Sequence, residues 1–155
     1  MLACLQRLLK SSNAGSLQEL VHTTAWCEDP AILAWIRATA MRTKESYLIQ
    51  EAMPAFAEPG NLKRRAELDK MLAQWRSRGV QPLQSILSTA LTSHPNHAAN
   101  VLDSVLRDCN HGARLACVGA CGGMSAAPVA PLRPLLDDLS SGCDYYHRQI
   151  EQAQG

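Results

Sequence analysis

The sequence is short of aromatic residues. They make up 5% of the chain, and Phe56 is the only phenylalanine. A packed interior must therefore be built from Leu, Ala, Val, Ile and Met. That composition favours helix, because pleated sheets draw on β-branched and aromatic side chains. No period-2 alternation is long enough for a strand, and no internal repeat is present. No apolar run approaches the ~20 residues needed to cross a bilayer. An excess of one charge is also missing: 15 Lys and Arg against 14 Asp and Glu leave a formal net charge of +1. Such a balance gives no global pull toward nucleic acid or an anionic membrane. P-loop, Gly-x-Ser-x-Gly, Gly-x-Gly-x-x-Gly and Cys-x-x-Cys patterns do not occur, which removes the usual phosphate cradle, nucleophile elbow and zinc finger.

What is present is an ordinary globular composition, 46% hydrophobic and 19% charged, able to bury a core rather than stay disordered. At 155 residues the expectation is one globular all-α domain spanning 1–155. The partners it excludes are nucleic acid and membrane. Six cysteines (Cys4, Cys27, Cys109, Cys117, Cys121 and Cys143) invite a disulfide reading. Against it, no secretory signal is present, and Cys117 and Cys121 stand one helical turn apart in an Ala/Gly-rich run. Buried reduced thiols in a cytoplasmic protein are expected. Met1 to Gln18 carries Arg7 and Lys10, several serines and no acidic residue, with Leu2, Leu5, Leu8 and Leu9 on one helical face. That pattern suits a mitochondrial transit segment as well as an ordinary first helix.

Helix signals recur along the chain. Ser16-Leu17-Gln18-Glu19 has the form of a capping box. Asp29-Pro30 is a capping carboxylate followed by proline at the first helical position. The helix it opens is expected to carry Ile32, Leu33, Ile36, Ala40 and Met41 on one stripe and to run to about Met53. Glu58-Pro59-Gly60 reads as a turn. Asn61 should cap a basic helix to Arg78, with Leu62, Leu68, Met71, Leu72 and Trp75 inward and Gly79 closing it. Pro82 opens a helix through Leu91, and His94-Pro95-Asn96 breaks it. Val101, Leu102, Val105 and Leu106 mark the next helix. Ala113 to Cys121 is a helix of very small residues ending at Gly122-Gly123. Three prolines between Ala126 and Pro134 indicate extended loop, and a last amphipathic piece follows Leu135.

Chemistry is best placed at the turn before the small-residue helix. Asp108, Asn110 and His111 cluster at its N-terminus, where free amides and the helix dipole favour an anion such as phosphate. Other groupings are weaker. Asp137-Asp138 are adjacent and point in different directions on a helix. His94 and His97 flank a proline turn with no acidic or thiol ligand nearby in sequence. Cys143 stands close to His147 but has no orienting third group. The basic run from Lys63 to Arg78 is interrupted by Glu67 and Asp69, as on a solvated face.

Ser85-Ile86-Leu87-Ser88-Thr89-Ala90-Leu91-Thr92-Ser93, then Ala98 to Leu106, then Cys109-Asn110 with Arg114 and Val118-Gly119-Ala120-Cys121-Gly122-Gly123 resembles the C-terminal part of the ADP-ribosylglycohydrolase family, nearest its J-crystallin-like branch. The resemblance covers about residues 80–124. It implies an all-α fold. In active members it implies a pair of magnesium ions between helices and hydrolysis of bonds to the ribose of ADP-ribose. One register of the resemblance places Asp108 and Asn110 at two metal-ligating positions, with His111 and Arg114 beside the ligand. The other register, anchored on Gly119-Ala120, places Asn110 and Gly112 there. The family's early Gly-Asp-x-x-Gly-type and Thr-Asp-Asp-Thr-type turns do not occur in this sequence, and the length is about half a full family domain. A two-metal centre drawn from distant turns is not completed by one turn.

The sequence therefore sets out a divergent ADP-ribosylglycohydrolase-like helical protein without hydrolase activity, retaining a site for a phosphate-bearing or ADP-ribose-type ligand. Mg2+ would enter only with the family's metal site. The alternative is a helical protein-interaction module outside that family. A half-length domain also invites self-association or a partner protein over apolar faces.

Overall fold

The computed structural model describes residues 14–106 and 111–122, and every regular element among them is helical. The elements are α1 (Ala14–Thr24), α2 (Pro30–Ala40), α3 (Ser46–Ala52), a 3-10 turn (Met53–Phe56), α4 (Leu62–Trp75), α5 (Val80–Ser93), α6 (Pro95–Leu106) and α7 (His111–Gly122). The all-α class expected from composition is thus the observed one. The chain divides into two compact units between Phe56 and Ala57. None of the described helices is long and apolar enough to cross a membrane. The N-terminal leucine face, the proline-rich stretch 126–134 and the segment after Leu135 lie outside the described residues. So do Asp137-Asp138 and the Cys143–His147 cluster.

In the first unit, α2 starts where the sequence says. Asp29 is the N-cap, and its carboxylate accepts from the amides of Ala31 (2.8 Å) and Ile32 (3.2 Å), with Pro30 opening the helix. Ser16 is not a cap, because α1 is already under way at Ala14, a residue of high helical propensity. The expected single helix from Pro30 to Met53 is two helices. After Ala40 the chain turns, and the Thr43 hydroxyl accepts from the Glu45 amide at 3.0 Å, a local bond that competes with helical continuation. The break also solves a facing problem. At about 100° per residue, Leu48, Ile49 and Ala52 of a continuous helix would point nearly opposite to Ile32, Ile36 and Ala40. Broken, α2 and α3 bury both triplets. Phe56 is buried in the 3-10 turn, and Arg37 donates to the Ala55 carbonyl at 2.9 Å to hold that turn to α2.

In the second unit, the turn at Pro59-Gly60 needs glycine: Gly60 has φ +76°, in the left-handed region. Asn61 then caps α4 by accepting from the amides of Lys63 (3.0 Å) and Arg64 (3.3 Å). Leu68, Met71, Leu72 and Trp75 face inward as expected. Leu62 does not: it is 68% exposed, since six residues before Leu68 it stands about 120° off the stripe. Its place on the inner face is taken by Arg64, which Glu58 (3.0 Å) and Glu67 both bind. Burial works against the Arg64 charge, but these two carboxylates outweigh it and hold the guanidinium pKa above its ordinary value. Gly79 does not close α4. It is extended (φ 171°) and precedes α5, while Arg78 donates its amide to Trp75 to finish α4.

α5 is the spine of this unit and packs on α4, α6 and α7. Pro82 sits in its first turn, where no helical N–H is lost. His94 caps its end by donating its amide to Ala90 (2.8 Å), and Pro95 begins α6. Leu102 and Val105 point inward from α6, with Val101 half-buried. α7 lies against α5 and α6 and buries Ala113, Ala116, Cys117, Val118, Ala120 and Cys121. The small residues allow close approach. A Cβ on Gly119 would stand 2.7 Å from the Gln84 side chain of α5.

Candidate functional site

Of the residues singled out in sequence, Asp108 and Asn110 lie outside the described residues. His111 is the first residue of α7, and Arg114 follows within the first helical turn, half-buried. The metal donors that the resemblance assigns to this turn are therefore not on the described part of the chain. Among the described residues no group of three or more His, Cys, Asp or Glu side chains is placed to hold a metal ion.

α7 supplies no nucleophile through its cysteines. Cys117, Cys121 and Cys27 are free thiols, and the first two are buried. Burial pushes the Cys121 thiol up to about 12. Cys117 is pushed higher still, chiefly by burial and then by neighbouring Cys121, with the Arg76 charge pulling the other way. Both remain protonated and unreactive at neutral pH.

Two clefts on the second unit share His97. The first, about 330 Å³, runs between α4 and α6 and is lined by Asp69, Leu72, Arg76, His97, Asn100 and Ser104 among others. Its polar centre is an imidazole–carboxylate pair: His97 Nε2 stands 2.9 Å from Asp69 Oδ1 and 3.0 Å from Oδ2. With Nε2–H donated to the carboxylate, the neutral ring presents Nδ1 as an acceptor, the arrangement in which a carboxylate orients a histidine. Ser104 lies seven residues further along α6, about 10 Å by helical rise, too far to pass a proton to this ring. Arg76 is committed in part to the Ser104 carbonyl, to which it donates at 2.8 Å.

The second cleft, about 320 Å³, lies at the start of α6 and is lined by Leu62, Arg65, Ser93, His94, Asn96 and His97 among others. The histidines flanking the proline turn are thus not free loop side chains. His94 is buried, and its Nε2 has no hydrogen-bond partner. Sequence reasoning missed the Asp69–His97 pair because its members are 28 residues apart on different helices. The only signal was the break at His94-Pro95, which fixes where α6 begins.

Comparison of the chain with family models, curated proteins and solved structures finds no match.

Proposed function

We propose that the chain is a divergent ADP-ribosylglycohydrolase-like helical protein that binds an ADP-ribose-type ligand at the turn leading into α7 without hydrolysing it. The observation that carries this reading is the burial of α7. A helix of small side chains, packed against α5 and α6, is what a rigid platform behind a polar turn requires. Arg114, in the first turn of that platform, supplies the cation for a phosphate. Hydrolysis would need hard oxygen ligands from turns that this sequence does not contain. The compartment this reading takes is the cytoplasm, with a mitochondrial location as the alternative; thiols such as Cys27, Cys117 and Cys121 stay free in either.

Thermal melting tests this reading. ADP-ribose should raise the melting temperature with or without magnesium, because a ligand bound only by the native state stabilises it by about 2.7 kcal/mol at a hundredfold excess over Kd. Arg114→Gln should abolish the rise. No shift in wild type, at millimolar ADP-ribose with magnesium present, would remove the ligand reading.

The second reading, a helical interaction module, is supported by Trp26 and Leu62, which are 75% and 68% exposed. Concentration-dependent sedimentation that is lost in Trp26→Ser or Leu62→Ser would favour it.

A further inference from the structure

We propose that the seam between α4 and α6 is a docking groove for an acidic amphipathic helix of a partner protein. α4 and α6 both pack on α5 but not closely on each other. They run side by side, joined by two polar bridges. His97 of α6 holds Asp69 of α4 at 2.9 Å. Seven residues on in each direction, Arg76 at the C-cap of α4 donates to the Ser104 carbonyl at 2.8 Å. The equal steps make the two helices parallel and set the bridges about 10 Å apart. Between them, the cleft of about 330 Å³ has buried Leu72 and Val105 for its floor, with half-buried Val101 and exposed Ala73 at its lip. The second cleft, about 320 Å³, continues the seam from His97 back to Arg65 and exposed Leu62. From Leu62 to Arg76 the seam is about 21 Å long by helical rise, some four turns. An apolar floor of that length between parallel helices fits the apolar face of a third helix.

Charge decides what kind of helix. Lys63, Arg65 and Lys70 of α4 make no ion pair among the described residues. The acids near them are taken: Glu58 and Glu67 bind Arg64, and Asp69 binds His97. Arg65 lines the groove. Lys63 and Lys70 are exposed, two turns apart and within about 20° of each other around α4. A helix whose apolar face is flanked by carboxylates meets unpaired cations here, and a basic helix meets repulsion. A nucleic-acid strand would want aromatic rings to stack on, and among the described residues no Phe, Tyr or Trp lines either cleft. The groove deepens the interaction-module reading, by naming the surface and the partner's chemistry. It leaves the ligand turn untouched, because Arg114 lines neither cleft.

The test titrates the whole chain, labelled with 15N, with synthetic peptides of one length. The first has leucine at every third or fourth position and glutamate on the flanks. The second carries lysine for each glutamate. The third has the composition of the first with its leucines scattered around the helix. The first should bind saturably, shift the amides of Ala73 and Asn100, and bind at least about tenfold tighter than the other two. Ala73→Glu puts a carboxylate at the lip from an exposed position, so it should fold and weaken this binding about tenfold. The Lys63→Glu, Arg65→Glu, Lys70→Glu triple variant should reverse the preference toward the lysine peptide. Equal binding of the scattered peptide would reduce the surface to general charge attraction and overturn the proposal. Shifts confined to residues outside α4 and α6, binding unchanged in Ala73→Glu, or no saturable binding would overturn it too. Concentration-dependent sedimentation lost in Trp26→Ser, with no peptide binding, would keep the interaction-module reading and sink this groove.

Discussion

Replacing Ala116 by leucine should be the most damaging single change on α7. Ala116 is fully buried at the middle of the helix, between Ala113 and Ala120 on the packed face. Leucine adds three carbons where there is no room, and overpacking of this kind costs about 1–3 kcal/mol. Helical propensity does not offset it, since leucine and alanine are nearly equal. For a chain of this length each kcal/mol moves the melting temperature by about 2–4 °C. A loss of about 2 kcal/mol therefore predicts a fall of roughly 4–8 °C. The control is Ala66→Leu, the same chemistry at an exposed position of α4, which should melt within about 1 °C of wild type. Gly119→Ala separates packing from mere smallness. Its Cβ would stand 2.7 Å from Gln84, but from the far end of a flexible side chain. Gln84 can turn aside, and the gain of alanine over glycine in a helix, about 1 kcal/mol, roughly cancels the cost. Thermal melts followed by circular dichroism measure all three. If Ala116→Leu melted like Ala66→Leu, α7 would not be a packed helix and the reasoning built on it would fail.

Four further outcomes follow from the same geometry. Asp29→Ala removes both acceptor bonds to the α2 amides and should lower stability by about 1 kcal/mol in urea titration, with Asp29→Asn losing much less. Peptide-resolved mass spectrometry after alkylation at mildly alkaline pH should find Cys27, half-buried, modified in the native protein, and Cys117 and Cys121 only after unfolding. The same burial predicts alkaline destabilisation. A thiol whose folded pKa is raised contributes stability that is full below the unfolded value of 9.0 and is lost as pH rises toward about 12. A Cys117→Ala, Cys121→Ala double variant should therefore lose stability less steeply across that window. Arg64→Met leaves Glu58 and Glu67 facing each other without their shared cation. Because both carboxylates reach solvent, the expected loss is about 1–2 kcal/mol, readable as a shift of the urea midpoint at constant slope.

The parts of the fold that are legible in the sequence are those set by neighbours in the chain. Asp29 and Asn61 cap because their side chains reach amides two and three residues on. Gly60 turns because of its own φ. α5, α6 and α7 follow from apolar spacing bounded by prolines and glycines. What the sequence hides is decided across the fold. The break after Ala40 is set by which way two apolar triplets must face, and a stripe read from Ile32 to Met41 does not show it. Gly79 looks like a helix end because glycine usually is one, yet here it is extended and opens α5. Arg64 reads as one of a run of solvated charges, and only the acids on both sides of it in space make its burial tolerable. The candidate chemistry divides the same way. The polar residues before α7 are neighbours in the chain and so are visible in the sequence. The Asp69–His97 pair and the His94 cleft exist because α4 and α6 come together.

The reading of this chain as a binder that does not hydrolyse is tested most directly by titrating it with an ADP-ribosylated peptide, with magnesium present, and analysing the peptide afterwards. The account predicts saturable binding that Arg114→Gln removes and Arg65→Gln retains, with the peptide recovered intact. Release of free ADP-ribose by the wild-type chain, or no saturable binding at all, would contradict it.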